Sequence, residues 1–121
     1  MHNDQPNPLG GRADARSADE REANARRLLE LTREMLDLGR AGEWVSFVER
    51  ERERQDVAQE LFATPVPREA AAVVAECIRR VLDLDHELIS LAEAHRDEAA
   101  EALKDMRTGA QAANAYRRYS R

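Results

Sequence analysis

The stretch VVAECIRRVLDLDHELISL, Val73–Leu91, decides the fold. At 100° per residue its Val, Cys, Ile and Leu side chains cover about half the circumference of a helix, against the roughly 100° that one packing face requires. Such a helix packs on two neighbours at once, or keeps a flank free for a partner. No Gly or Pro interrupts the chain from Pro67 to Arg107. A third helix of roughly 60 Å over those residues is therefore expected, at 1.5 Å rise per residue. Pro67 suits its first turn, and Glu69 suits the positive end of its dipole. Beyond Ala92 the apolar face thins to Ala99, Ala102, Leu103 and Met106. That half is expected to overhang the shorter helices or to meet the start of helix 1. Thr108-Gly109 predicts a bend. Ala110–Tyr119 then predicts a short, mobile fourth helix with Tyr116 and Tyr119 on one face.

Working back from this helix, Thr64-Pro65-Val66-Pro67 is a break, because each Pro restrains itself and its predecessor. Helix 2 is expected from Glu43 to about Ala63. Trp44, Phe47 and Val48 anchor its start, and Val57, Ala58, Leu61 and Phe62 its end. Between them Glu49–Asp56 gives two turns without an apolar residue. The helical angle places Glu51 and Gln55 on the face of Val48 and Phe62, as a polar layer or a groove lining. Gly39 and Gly42 end helix 1, in which Leu28, Leu31, Met35 and Leu38 form one stripe and Leu29 and Leu36 a second. Ser17 and Glu20 have the spacing of a capping box, so helix 1 is expected to start near Ser17. Residues 1–16, with two Pro, two Gly and few apolar side chains, predict a disordered tail.

The chain has 121 residues, 42% hydrophobic but only 4% aromatic, room for a single domain built from aliphatic helices rather than a β-sandwich. The expected fold is all-α: an antiparallel three-helix bundle over residues 17–107, with a long third helix and a C-terminal segment over 108–121. A formal charge of −5 and the mixing of both signs along the chain argue against general affinity for nucleic acid or anionic lipid. No stretch approaches the roughly 20 apolar residues of a membrane span. The single cysteine, Cys77, has no internal partner, which fits a reducing cytosol.

Chemistry is sparse. His2, His86, His95 and Cys77 show no zinc-finger spacing, and Asp83-x-x-His86 is only half of a di-iron motif with no second unit. The four serines lack a neighbouring His and acid, and neither Gly-rich stretch has phosphate-loop form. No catalytic residue, cofactor or metal is expected. Asp85, near the centre of the apolar arc of helix 3, reads either as a bundle-edge acid paired with Arg or as a recognition acid in a groove.

The order of features resembles the FliT family of flagellar export chaperones. Leu28-Leu29-Glu30-Leu31 runs into a Gly42-Glu43-Trp44 turn, and the Glu/Arg-rich Glu49–Gln55 follows. Helix 3 carries Leu82-Asp83, Leu88, Arg96 and Glu98; Asn114-Ala115-Tyr116 precedes Arg118 and Ser120. The likeness spans about residues 25–120. It implies a non-enzymatic cytoplasmic chaperone that binds the C-terminal region of the filament-cap protein FliD. It also implies docking to the export ATPase complex and export gate and, as in some members, restraint of the flagellar master transcription regulator. The family's last helix covers or tunes the binding surface, a role that the resemblance gives here to Ala110–Tyr119, with Asn114, Tyr116 and Tyr119 as its regulatory residues. The chain departs from the family in its long N-terminal segment and in the unbroken Glu/Arg run.

The expected partner groove lies between the end of helix 2 and the first half of helix 3. Phe62, Val74, Ile78, Leu82 and Ile89 supply its apolar floor and Asp85 a polar contact, while Cys77, Leu84, Leu88 and Leu91 serve the core. A homodimeric helical adaptor, pairing through the overhanging half of helix 3, is the alternative.

Overall fold

Residues 8–119 are described by a computed structural model, with side chains from 17 to 118. Three α-helices follow one another: α1 (Pro8–Ala41), α2 (Trp44–Phe62) and α3 (Ala71–Tyr119), with a 3₁₀ turn at Arg68–Ala70 before α3. Among the described residues there is no strand, and the fold is all-α. The chain forms two compact units, Met1–Leu88 and Ile89–Arg121.

The stop between α1 and α2 is legible in chemical detail. Gly42 adopts φ +74°, a left-handed conformation that costs glycine nothing sterically. Its N–H donates to the Gly39 carbonyl at 3.2 Å, and the Glu43 N–H to the Leu38 carbonyl at 2.9 Å. These two bonds form a Schellman motif that satisfies the last carbonyls of α1. Gly39, expected to share in ending the helix, lies inside it. α1 opens at Pro8 rather than Ser17. Proline's fixed φ suits a first helical position, so the helix starts there and takes in Ser17 as an interior residue. Residues 1–7 of the expected tail lie outside the described residues.

In the first unit, α1 and α2 run antiparallel. Arg21 reaches Thr64, Arg27 pairs with Glu53 at 2.6 Å, and Glu34 lies 3.0 Å from Arg50, so rising numbers on α1 meet falling ones on α2. One apolar cluster joins Ala18, Ala25, Leu28 and Leu29 of α1 to Leu61 of α2, Ala70, and Val74, Cys77 and Val81 of α3. Leu31, Met35, Leu36, Phe47 and Leu88 are buried as well. Pro67 caps the 3₁₀ turn, whose Ala70 N–H donates to the Pro67 carbonyl at 3.0 Å, and α3 follows from Ala71.

Arg21 holds the end of α2. Its guanidinium donates to the Leu61 carbonyl at 2.7 Å, to the Thr64 carbonyl at 3.0 Å and to the Thr64 hydroxyl. A cation at the negative end of the α2 dipole satisfies carbonyls that have no intrahelical donor.

In the second unit α3 continues through Thr108 and Gly109 to Tyr119, so the separate fourth helix is not formed. A single glycine in a helix costs only about 1 kcal/mol, and Ala110, Ala112, Ala113 and Ala115 after it are good helix formers that offset that cost.

Candidate functional site

The sequence places six partner-binding residues on α2 and α3, and the structure sorts them into three groups. Val74 is 5% exposed and belongs to the core, so it offers nothing to a partner. Ile78 is half-buried and packs against the core cluster. Phe62 and Leu82, at 56% and 57% exposed, are large apolar side chains that the core leaves in water. Ile89 opens the second unit and is also exposed. Val74 sits at the middle of the apolar arc, which burial claims first; the flank carrying Ile78 and Leu82 lies 40° and 80° round the helix. Cys77 and Leu88 are buried as expected of core residues, and Leu84 packs on the core cluster.

Asp85 is committed elsewhere. Arg54 Nη1 donates to its carboxylate at 2.7 Å and approaches the Thr32 hydroxyl at 3.4 Å. Thr32 is fully buried, and its hydroxyl donates to the Leu28 carbonyl at 2.8 Å. The polar layer of the interior is thus Arg54 with Asp85 and Thr32, not Glu51 with Gln55; Gln55, which is exposed, instead lines an open hollow with Leu28, Arg54, Ala58, Val81 and Asp85. In an alternating Glu/Arg run neighbouring positions differ by 100°, and the residue that turns inward depends on which acid waits on the facing helix. The bundle-edge reading of Asp85 is the one its geometry fits. Its carboxylate is not free for recognition.

A second surface escaped the sequence reading. Leu29 of α1 and Ala72, Val73 and Cys77 of α3 line an open apolar hollow with Arg26, Glu76 and Arg80 about it. Arg80 and Arg79 donate to Glu76 at 3.1 and 2.7 Å, and together they hold its carboxyl below the ordinary value. On α1, the hydrogen bond from Arg27 to Glu53 raises the guanidinium's pKa further above its ordinary value. Helical spacing alone did not reveal the hollow, because Val73 and Leu29 each read as core. At the start of α2, Val45 and Val48 are exposed beside half-buried Trp44, whose ring meets Phe47 edge to face at 5.0 Å. Of the aromatic anchors, Phe47 is buried, whereas Phe62 and Trp44 are not.

The residues expected to be regulatory, Asn114, Tyr116 and Tyr119, lie in the second unit. Asn114 and Tyr116 are exposed, Tyr116 by 74%, and Tyr119 closes α3. Among the described residues there is no cluster of three or more His, Cys, Asp or Glu able to hold a metal ion. None of their helices is long and apolar enough to cross a membrane.

Among the described residues the chain is an all-α protein that leaves large apolar side chains such as Phe62 and Leu82 in water. Residues 22–118 match the family described as Flagellar protein FliT, and the chain belongs to that family. Membership carries a flagellar export chaperone role in general terms. No characterised protein and no solved structure shows significant similarity to the chain.

Proposed function

We propose that this protein is a flagellar type III export chaperone that binds the C-terminal region of the filament-cap protein FliD and delivers it to the export ATPase complex and export gate. Restraint of the master transcription regulator belongs to the same family-derived reading. The observation that carries the site is the exposure of Phe62 and Leu82 in a chain of this family. With α2 and α3 antiparallel, a register set by the Arg54–Asp85 pair puts Phe62 opposite Cys77 and Ile78, about one turn before Leu82. An amphipathic helix laid along that flank buries the exposed half of both side chains, each contributing about 1–1.5 kcal/mol.

Calorimetric titration with a FliD C-terminal peptide tests this reading. Phe62→Asp and Leu82→Asp place a carboxylate where the apolar ligand sits and should weaken binding by at least about tenfold. Both sites are exposed, so circular dichroism should report an unchanged fold; Ile78→Asp is a poorer probe because that side chain also packs on the core. Val48→Asp, at the other end of α2, should leave binding intact. Wild-type protein that binds no such peptide refutes the FliD assignment. Full-strength binding by both variants moves the site elsewhere, with the hollow around Val73 as the next place to probe.

A further inference from the structure

We propose that the hollow between α1 and α3 binds a small amphiphile with a carboxylate head, of the medium-chain fatty-acid kind. Its floor is Leu29 of α1 with Ala72, Val73 and Cys77 of α3, an open apolar space of about 400 Å³. Small-molecule sites span roughly 300–1,000 Å³ and join an apolar lining to a few polar groups that fix orientation. Here those groups are Arg26 on the α1 side and Glu76 and Arg80 on the α3 side. The proposal does not rest on the chaperone reading, because Leu82 lies about 180° round α3 from Val73.

The direction of the ion pairs leaves the hollow uncovered. Across the α1–α2 seam they run from helix to helix, Arg27 to Glu53 at 2.6 Å and Arg50 to Glu34 at 3.0 Å. Beside the hollow they run along a helix instead. Arg26 lies 3.6 Å from Glu22, and Glu76 lies 3.1 Å from Arg80 and 2.7 Å from Arg79. Charge then chooses the head group. Arg26, Arg79 and Arg80 outnumber Glu22 and Glu76, and farther along exposed Arg33 on α1 offsets exposed Asp83 on α3. A guanidinium has five donors in a planar fork that fits a carboxylate, more than one glutamate partner occupies. A ligand carboxylate thus draws donors from both helices while its apolar chain covers Val73 and Cys77. A cationic head meets the arginine surplus. The seam also decides against a long helix as occupant, since Arg40 and Glu87 bridge α1 to α3 about 15 Å beyond Cys77.

Titration of the isotope-labelled full chain with decanoate, kept below its micelle-forming concentration and followed by amide NMR, tests the site. Saturable shifts are expected at residues 26–29 and 72–80. Decanol and decyltrimethylammonium should bind at least about fivefold more weakly, and added salt should weaken decanoate more than decanol. Ala72→Glu, at an exposed position, should raise the decanoate Kd at least about tenfold by setting a carboxylate in the apolar floor. Arg26→Gln and Arg80→Gln should each raise it about two- to fivefold, as expected of exposed ion pairs. Circular dichroism should report the same fold for all three variants. Phe62→Asp should leave the Kd unchanged, which separates this site from the chaperone groove. Shifts that grow without saturating, or that centre on Phe62 and Leu82, overturn the proposal. Decanol that binds as tightly as decanoate, or a Kd indifferent to both arginine variants, overturns it equally, because the hollow then holds no anion site.

Discussion

Up to Leu88, α3 shows Val74, Cys77, Val81 and Leu88 at 5–6% exposed; beyond it, Leu103, Met106 and Tyr116 stand at 56–74%. The helix is continuous and apolar positions recur at helical spacing on both sides of that point. What differs is density and company. Before Leu88, β-branched and Leu side chains fill nearly every inward position, and α1 and α2 supply matching aliphatics. After it, alanine takes most such positions. Periodicity specifies that a segment is helical, whereas burial depends on how much apolar volume the segment can share with a neighbour.

The sharpest way to break this contrast is to shorten one leucine of the core that α3 packs into and one of its exposed half. Leu31→Ala, at a side chain with no exposure, should lose about 3–5 kcal/mol in urea unfolding. Leu103→Ala should stay within about 0.5 kcal/mol when measured at concentrations where the chain is monomeric. Equal losses at the two sites would erase the distinction.

The aromatic pair at the start of α2 repeats the contrast on a smaller scale. Phe47→Ala should cost about 3–4 kcal/mol and Trp44→Ala about 1–2, because only the phenylalanine is buried. Thermal midpoints in the reverse order would make Trp44 the anchor after all.

Next in size is the polar layer. Arg54 and Asp85 are 20% and 24% exposed, between a surface pair and a buried one. A double-mutant cycle with Arg54→Met and Asp85→Asn should give a coupling of about 1–2 kcal/mol. A coupling near zero would mean that water, not Arg54, satisfies Asp85.

The smallest effect belongs to Glu76 on the exposed edge of the first unit. Arg80 and Arg79 depress its pKa below the ordinary value of 4.5. A depressed carboxylate stabilises the fold above its ordinary pKa and loses that contribution as pH falls through the lowered one. Thermal midpoints of wild type and Glu76→Gln should therefore converge in acid and separate slightly near neutrality. A gap that widens below pH 4.5 would reverse the sign.

Much of this architecture was legible from Gly42 and from Thr64-Pro65-Val66-Pro67, because backbone restraints act locally and leave marks in local sequence. The wide arc of α3 also announced the burial of Cys77 and Leu88, though not of Val74. Three features were not legible, each for its own reason. Pro8 starts α1 although the glycines after it argued for a tail. Gly109 fails to stop α3, since the identical residue at Gly42 stops α1 only with a left-handed φ and two well-placed carbonyls. Arg54, rather than Glu51 or Gln55, turns inward because Asp85 lies on another helix, 31 residues away. The candidate site suffered most from this last limit. Phe62 and Leu82 are exposed on the flank where the helical angle puts them, but Val74 is buried in the core and Asp85 is held by Arg54, partners that no wheel displays.

Arg21 has a consequence for how the first unit comes apart. Its guanidinium bonds groups 40 and 43 residues away, joining α1 to the last turn of α2 and the start of the proline linker. Opening the linker thus requires releasing a residue of α1, and loosening α1 around Arg21 frees the linker. Two segments far apart in sequence become one opening unit. In amide hydrogen exchange, the Ala63 N–H and those of α1 around Arg21 should lose protection together, with one shared opening free energy. Arg21→Met should uncouple them, letting the α2 end exchange early while α1 keeps its own, slower clock.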